Sequence, residues 1–432
     1  MNNNSEIENF VKKILSEKKI KNSFIPGETL IPPSGKLIGH EEVTNMVMAS
    51  FDGWLTTGRF NSEFQKKLSE FLNVKHLITV NSGSSANLVA FSSLTSHLHK
   101  DRAIKPGDEV ISVAAGFPTT VNPIFQNGAV PVFVDIKLPT YNIDEELIEE
   151  AITKKTKAIM LAHTLGNPFN LNKIGEICKK YNLWLVEDNC DALGSKYNNK
   201  FTGTFGDVAT LSFYPAHHIT MGEGGAIFTN NSRIKRVSES FRDWGRDCYC
   251  EPGEENTCKK RFEWQLGKLP LGYDHKYIYS HIGFNMKITD MQAACGLGQL
   301  KSLENFIEKR KTNVLFLKKQ LIELQDEIHL PEAEINSDPS WFGFPITIKK
   351  ESKFKRTDLI KKLTESKIGT RLLFSGNLTK QPAYLSKNFI VHGKLDTTDL
   401  IMNNTFWLGI QPAIGEEELS FVAKTLKEFF KK

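Results

Sequence analysis

The sequence predicts an α/β protein with a mostly parallel sheet and a second, smaller domain. From residue 75 onward, short apolar runs rich in β-branched residues alternate with helical patterns. This alternation is typical of parallel sheets that are covered by helices. A chain of 432 residues is longer than one domain of ordinary size, so we expect one large and one smaller domain.

The composition is that of an ordinary enzyme, with 40% hydrophobic and 24% charged residues. A net charge of +5 is mild and scattered, which suits an acidic small substrate and argues against a nucleic-acid partner. No apolar run approaches the ~18 residues of a membrane span, so no membrane partner is expected. The first residues lack the basic and apolar regions of a signal peptide, and the expected location is the cytoplasm.

The individual elements follow from the same patterns. The N-terminal part predicts a helix at residues 6–20, an extended arm rich in Gly and Pro at 27–35, and a helix at 60–71. Strands are expected at 75–80, 110–113, 130–135, 158–162, 184–188, 208–213 and 226–229, with helices ending near 94 and at 144–152 and 171–181. The C-terminal part predicts one long helix that opens after residue 283 and continues to about 323, a strand at 341–348, and helices at 356–366 and 416–430.

A turn of Gly and Ser residues at 81–87 leads from a strand into an apolar helix. Such a turn offers backbone N–H groups and the positive end of the helix dipole to an anion. Gly83 and Ser84 are therefore candidates for binding a phosphate. The same arrangement is also typical of a simple helix cap, and the turn alone does not distinguish the two.

Two predicted strand ends carry candidate site residues, because ligands of open α/β sheets lie beyond the carboxyl ends of the strands. Phe117 follows the strand at 110–113, and Asp188 ends the strand at 184–188. Phe117 is either a ring that contacts a ligand or an ordinary core residue. Asp188 is either a ligand-binding carboxylate or a helix cap.

The stretch at 212–225, Ser-Phe-Tyr-Pro-Ala-His-His-Ile-Thr-Met-Gly-Glu-Gly-Gly, lies between two short predicted strands. Its Gly-Glu-Gly-Gly end needs backbone freedom that side chains would restrict. His217 and His218 are candidates for acid–base chemistry, since imidazole titrates near neutral pH. Both are equally compatible with ordinary surface positions on a loop.

This stretch resembles the cofactor-lysine segment of the sugar-nucleotide aminotransferases, a branch of the pyridoxal-phosphate fold type I enzymes. Their pattern is Ser-Phe-Tyr-Pro-x-Lys-x-Leu-Thr-x-Gly-Glu-Gly-Gly, and His217 stands where the family has its Schiff-base lysine. The resemblance implies a three-layer, aminotransferase-like large domain with a smaller C-terminal α/β domain. It also implies pyridoxamine 5'-phosphate that is held non-covalently, with His217 moving protons. A histidine at this place marks the deoxysugar 3-dehydrases within the family.

The resemblance extends to other motifs and assigns roles to their residues. Residues 83–87 match the family's cofactor-phosphate loop, and Asp188 matches the carboxylate that pairs with the pyridinium nitrogen. Asp191 replaces the usual Gln near the ring hydroxyl, and Asn285 matches an Asn that crosses a dimer interface to the cofactor phosphate. The implied cofactor-binding residues are Gly83, Ser84, Phe117, Asp188, Asp191, Ser212 and Asn285.

Four of the six cysteines are arranged as C-x57-C-x-C-x7-C, namely Cys190, Cys248, Cys250 and Cys258. Cysteine counting alone leaves unligated thiols, zinc and an iron–sulfur cluster open. The spacing matches the iron–sulfur sugar 3-dehydrases, and this resemblance implies a [2Fe–2S] cluster. The last three ligands fall in a long loop at 242–280. Cys178 and Cys295, on predicted helices, are expected in the core.

Together these resemblances imply a 3-dehydrase that acts on a nucleotide-linked 4-keto-6-deoxyhexose, with CDP favoured, and that receives electrons from a flavin/iron–sulfur reductase. The alternatives are a cluster-free 3-dehydratase that regenerates its cofactor from glutamate, and an aminotransferase. A homodimer is expected. The expected divisions are an arm at 1–40, a cofactor-binding domain at 41–300 and a small domain at 301–432. Arg371 and Lys380 are either cations for a diphosphate or solvated loop residues.

Overall fold

A computed structural model describes residues 3–18, 23–250 and 253–431. Its helices are α1 Asn3–Lys18, α2 His40–Asp52, α3 Arg59–Leu72, α4 Gly83–Leu94, α5 Pro118–Gln126, α6 Ile148–Ala151, α7 Leu171–Tyr181, α8 Ser232–Arg242, α9 Asp290–Leu300, α10 Leu303–Leu321, α11 Arg356–Glu365, α12 Asp396–Asn404 and α13 Glu416–Phe430. No helix in these ranges is both long and apolar enough to cross a membrane.

The strands of the large sheet are β1 His76–Val80, β2 Glu109–Val113, β3 Val130–Val134, β6 Thr156–Ala162, β7 Trp184–Asp188, β10 Val208–Ser212, β11 Gly225–Thr229 and β16 Ile390–Val391. The remaining strands are β4 Ile136–Lys137, β5 Asn142–Ile143, β8 Lys196–Tyr197, β9 Lys200–Phe201, β12 Ile328–His329, β13 Ser337–Asp338, β14 Gly343–Ile348, β15 Thr370–Leu372 and β17 Thr405–Gly409.

The large sheet has the strand order β1-β11-β10-β7-β6-β2-β3-β16. Its pairings are parallel from β10 through β7, β6, β2 and β3 to β16, while β11 is antiparallel to both β10 and β1. The central strands β2, β7 and β10 are buried at every position, which explains their continuous apolar runs in the sequence. The predicted mostly parallel α/β sheet is confirmed.

Both faces of this sheet are covered, so the large domain has three layers. Along one strand, Leu185 packs into a core with α6 and α7, whereas its neighbour Val186 packs into a second core with α4, α5 and α8. This alternation follows from the period of two in a strand. The carboxyl ends of the parallel strands lie at one edge of these layers.

A smaller four-stranded sheet, β12-β14-β17-β15, packs with α10, α11 and α13 around a separate apolar core. Backbone hydrogen bonds also join the N-terminal arm to the region of the small sheet. Ile31 of the N-terminal arm donates its N–H to the carbonyl of Lys367 and accepts from the N–H of Gly369. The division of the chain near residue 300 stays a prediction.

Several element predictions were wrong in detail. The single helix expected up to about residue 323 is two helices, α9 and α10, because a turn at Lys301 and Ser302 interrupts it. The expected helix at 144–152 is a 3-10 turn followed by the short α6. Helices α2, α5, α8 and α12 had no counterpart in the prediction.

Candidate active site

Asp188, the last residue of β7, is a buried and hydrogen-bonded carboxylate at the carboxyl edge of the sheet. Its Oδ2 accepts hydrogen bonds from Asn87 Nδ2 at 2.8 Å and from Thr120 Oγ1 at 2.6 Å. Its Oδ1 accepts from the backbone N–H of Cys190 at 3.2 Å. Thr210 Oγ1 donates in turn to Asn87 Oδ1 at 2.7 Å. These bonds hold the buried carboxylate in one orientation.

A cavity of about 410 Å³ lies directly over this carboxylate. Its volume is in the range typical of small-molecule sites. The side chains that line it come from both parts of the chain, since Phe342, Arg371 and Trp407 follow residue 300. Nine candidates from the sequence line it together: Gly83, Ser84, Phe117, Asp188, Cys190, Asp191, Ser212, His217 and Arg371.

The N-terminus of α4 forms one wall of the cavity. Ser82 caps the helix by accepting from the N–H of Ser85 at 3.0 Å, so the helix cap and the candidate anion site lie on the same turn. Gly83 packs against β10 so closely that a Cβ on it would lie 2.4 Å from Ser212 Cβ. The helix dipole and the hydroxyls of Ser84 and Ser212 suit a bound phosphate.

Phe117 lies at the opposite wall, immediately before α5. Its side chain is 51% exposed and meets Phe374 edge-on at a ring-centroid distance of 6.1 Å. A core position for this ring is therefore wrong. An accessible aromatic face in a cavity suits a flat heterocyclic ring.

His217 lines the cavity, whereas His218 does not. The His217 ring packs against Phe342 at 5.1 Å, and its Nδ1 lies 3.4 Å from Asp191 Oδ1 without forming a hydrogen bond. His218 Nε2 lies 2.9 Å from the carbonyl oxygen of Ser340 and faces away from the cavity. The adjacent histidines therefore have different surroundings, and only His217 can reach a ligand in the cavity.

Burial sets the protonation of this group of side chains. It lowers the pKa of His217 to about 4, with Asp188 opposing the shift and Arg310 adding to it. Burial and then the neighbouring Asp188 raise the pKa of Asp191 to about 8. At neutral pH both His217 and Asp191 are consequently uncharged, and the imidazole can accept a proton.

Besides His218, one implied cofactor residue, Asn285, and three of the four implied cluster ligands, Cys248, Cys250 and Cys258, do not line the cavity. Asn285 forms an isolated backbone bridge with Asp243. Cys250 Sγ lies 3.0 Å from Thr257 Oγ1. Burial raises the pKa of Cys250. Hydrogen bonds from Thr257 and Cys248 outweigh this effect, so the pKa of Cys250 is lowered.

Among residues 3–18, 23–250 and 253–431, no three His, Cys, Asp or Glu side chains form a metal-binding group. Within these ranges the four thiols therefore do not come together as a set of ligands for a cluster. Cys178 and Cys295 are buried, which confirms their prediction as core residues.

Several residues of the cavity were not predicted from the sequence. Thr120 could have been found, because it lies one helical turn after Phe117. Asn87 lies within the predicted phosphate loop, where only the first residues were considered. Phe342 and Trp407 carry no local signal. Of the two candidate cations, Arg371 lines the cavity, while Lys380 pairs with Asp399 at 2.6 Å.

A three-layer, mostly parallel sheet with a buried carboxylate at a strand end and a helix N-terminus beside it defines a fold type I pyridoxal-phosphate enzyme. The chain belongs to the DegT/DnrJ/EryC1/StrS aminotransferase family, which it matches over residues 37–427. The predicted fold and family are thus confirmed.

Individual relatives include 3-dehydratases. The chain is 59% identical to the lipopolysaccharide biosynthesis protein RfbH of Salmonella typhimurium (strain LT2), over 98% of this chain and 97% of that protein. It is 48% identical to the dTDP-4-dehydro-2,6-dideoxy-D-glucose 3-dehydratase of Saccharopolyspora spinosa, over 95% and 88% of the two chains. A crystal structure of GDP-4-keto-6-deoxymannose-3-dehydratase with a trapped PLP-glutamate geminal diamine superposes with a TM-score of 0.81 at 28% identity, covering 92% of this chain and 100% of that one.

We predict that Gly83→Ala destabilises the protein by about 1–3 kcal/mol and weakens cofactor binding, because its Cβ overlaps Ser212. The matched control is Gly175→Ala in α7, where a new Cβ meets nothing within 4 Å. That control should gain about 0.5–1 kcal/mol from helix propensity. Urea unfolding and titration with pyridoxamine phosphate measure both effects. Equal stability of the two variants would contradict the tight packing of α4 against β10.

Proposed function

We propose that this protein is a pyridoxamine-phosphate-dependent 3-dehydratase of a nucleotide-linked 4-keto-6-deoxyhexose, acting in deoxysugar biosynthesis. The observation that carries the proposal is His217, an imidazole facing the cavity at the place where family members have a Schiff-base lysine. An aminotransferase of this family needs that lysine, and the loop at 212–225 contains none. The 3-dehydratases among the relatives support the same reaction class.

The residues that line the cavity fit the cofactor. Ser84 in the first turn of α4 and Ser212 at the end of β10 suit its phosphate, and the exposed face of Phe117 suits its ring. Asp188 suits the ring nitrogen, since an anionic carboxylate favours a protonated pyridine. Asp191, uncharged at neutral pH, is the candidate neighbour of the ring hydroxyl.

In the proposed reaction the cofactor supplies an amine for the C4 ketone and an electron sink for the departure of the C3 hydroxyl. His217 accepts a proton from the cofactor methylene at its unprotonated ring nitrogen. Burial keeps this imidazole neutral and ready to accept the proton. Asp188, held by Asn87 and Thr120, is oriented for the position proposed for the ring nitrogen. Phe342, packed on His217, excludes water from one side of the imidazole.

Arg371 is the candidate residue for the substrate's diphosphate, because it brings a cationic side chain to the cavity wall. Lys380 is a weaker candidate, since Asp399 already pairs with it. A CDP-linked sugar, as used by CDP-4-keto-6-deoxyglucose 3-dehydrase, stays a prediction. The names of two relatives instead carry dTDP and GDP.

Two routes can complete the reaction. The comparisons favour the glutamate-dependent, cluster-free route over the iron–sulfur route preferred from the sequence, because a relative was solved with glutamate attached to its cofactor. The second candidate is a route through a [2Fe–2S] cluster held by the four cysteines of this chain, to which a flavin/iron–sulfur reductase would supply electrons. Its support is the closeness of three thiols, because burial, with contributions from the neighbouring Cys250 and Cys258, raises the pKa of Cys248, and the position of Cys190 in the cavity wall. An iron–sulfur cluster would supply one-electron chemistry.

His217→Asn is expected to slow proton removal from the cofactor methylene by roughly 10²- to 10⁴-fold, the usual contribution of a general base. Deuterium exchange of that position in the presence of substrate, followed by mass spectrometry, measures it. Cofactor affinity should be largely retained. The control is His218→Asn, which should exchange close to the wild-type rate because His218 faces Ser340. Normal exchange in the His217 variant would transfer the base role to His218.

The two routes predict different behaviour of protein loaded with pyridoxal phosphate. On the glutamate route, added glutamate converts the bound cofactor to its amine form, seen as a shift in absorbance, and anaerobically purified protein holds no stoichiometric iron. On the cluster route, the protein holds iron and sulfide, and Cys248→Ser loses them while still exchanging the C3 hydroxyl with labelled water. The buried Cys178→Ser is the control that should keep the metal. Stoichiometric zinc would exclude the cluster, and failure of glutamate to react would exclude the first route.

We also propose a homodimer with shared active sites. Asn285 lies beside side chains that leave apolar surface uncovered, with Ile282 95% and Tyr279 53% exposed, and such surface is typical of interfaces. If each site uses Asn285 of one subunit and His217 of the other, mixing Asn285→Ala with His217→Asn protein should restore partial activity. The absence of rescue, after mass spectrometry has shown subunit exchange, would contradict shared sites.

A further inference from the structure

Arg310 is the largest side chain that is almost fully buried, with 1% of its surface exposed. It lies in the middle of α10, outside the sheet that carries the cavity. Within residues 3–18, 23–250 and 253–431, no carboxylate lies within ion-pair distance of it. A buried charge without a counter-ion is costly, so its hydrogen bonds must account for its position.

All of its hydrogen bonds go to backbone carbonyl groups. Nη1 donates to Trp341 at 3.3 Å and to Phe342 at 3.0 Å. Nη2 donates to Ala216 at 3.5 Å and to His217 at 3.4 Å. One planar guanidinium thus joins two chain segments that are far apart in sequence. A guanidinium can bond both segments at once, because it is planar and its N–H groups point in fixed directions. A lysine ammonium is a compact point charge and lacks this geometry.

The two segments are those that hold the His217 imidazole. The first contains His217 itself, and the second contains Phe342, whose ring packs on the imidazole at a centroid distance of 5.1 Å. A rotation of either peptide plane would move the imidazole relative to Asp188 and the cavity. Two other contacts anchor the loop next to this point: the N–H of His217 donates to the carbonyl of Tyr214 at 2.9 Å, and His218 Nε2 lies 2.9 Å from the carbonyl oxygen of Ser340. Of the side chains that tie the loop to the second segment, Arg310 is the one that contacts the His217 peptide itself.

We propose that Arg310 is a positioning residue, which fixes the His217 imidazole for proton removal by clamping the carbonyls of Ala216 and His217 to those of Trp341 and Phe342. It touches neither substrate nor cofactor. The inference rests on the proposed role of His217 as the base. Its distinctive consequence is that Arg310 governs the rate of proton removal and leaves cofactor affinity unaffected, since Arg310 is not among the residues that line the cavity.

The test uses Arg310→Met, which removes the clamp, and Arg310→Lys, which keeps the charge but loses the fork. At saturating pyridoxamine phosphate, Arg310→Met should slow deuterium exchange of the cofactor methylene roughly 10- to 100-fold, as expected for a misplaced catalytic group. Arg310→Lys should recover part of this loss. The dissociation constant for pyridoxamine phosphate should equal that of the wild type in both variants.

Arg356 provides a matched control, because its Nη1 also donates to two backbone carbonyls, of Met402 at 2.7 Å and Thr405 at 3.2 Å. It is partly buried in the small sheet region and has no contact with the His217 loop. Arg356→Met and Arg356→Lys should keep the wild-type methylene exchange rate. If the two methionine variants exchange alike, the positioning role is wrong.

A second measurement needs no cofactor. Amide hydrogen exchange of a peptide covering residues 213–221 should be faster in Arg310→Met than in Arg356→Met, because the loop has lost its clamp. Failure of the proposed base would show instead as normal methylene exchange in His217→Asn, with the amide result unaffected.

If Arg310→Met does not fold, the Arg310→Lys variant decides the question. Methylene exchange as fast as in Arg356→Lys overturns the inference, and slower exchange with unchanged cofactor affinity supports it.

Discussion

The hydrogen-bonded carboxylate of Asp188 is the interaction on which the site depends. It ends β7, and its partners Asn87 and Thr120 belong to α4 and α5, while Thr210 of β10 completes the network through Asn87. A buried carboxylate without such donors would be costly, so these elements must meet at this point. The N-termini of both helices are thereby directed at the same cavity. Ser84 and Phe117 take their places at its walls for this reason.

Much of the fold could be predicted because its strands are apolar on both faces and its helices are amphipathic. Helix α7 and the closing helix α13 begin and end where the periodicity predicts. The failures have local physical causes. Pro118 is compatible with the start of helix α5, but Pro123 lies inside it, and an internal proline argues against a helix. The helical spacing of apolar residues is the same before and after residues 301–302. The sequence pattern therefore does not reveal the turn that separates α9 from α10.

The site was predictable where its residues are neighbours in sequence and unpredictable where the fold brings them together. The loop at 212–225, the turn at 81–87 and the end of β7 each carry a contiguous motif. Phe342 and Arg310 reach the His217 loop only through packing. Arg310 nevertheless had a signal, because it stands seven residues after Leu303 and seven before Leu317, in a row of buried positions on α10. A charge in an apolar stripe indicates a specific partner, which the sequence cannot name.

The pairing of β16 with β3 also affects how the protein is made. Without β16, β3 would be an edge strand of the large sheet, and exposed edge strands are templates for pairing with other chains. The segment that covers it, Ile390–Val391, follows β3 (Val130–Val134) only after the rest of the large sheet and most of the small one. During synthesis the growing chain therefore carries an unprotected strand until this distant segment has also left the ribosome. Nascent or truncated chains of this protein consequently have a specific need for protection against aggregation that the finished molecule does not have.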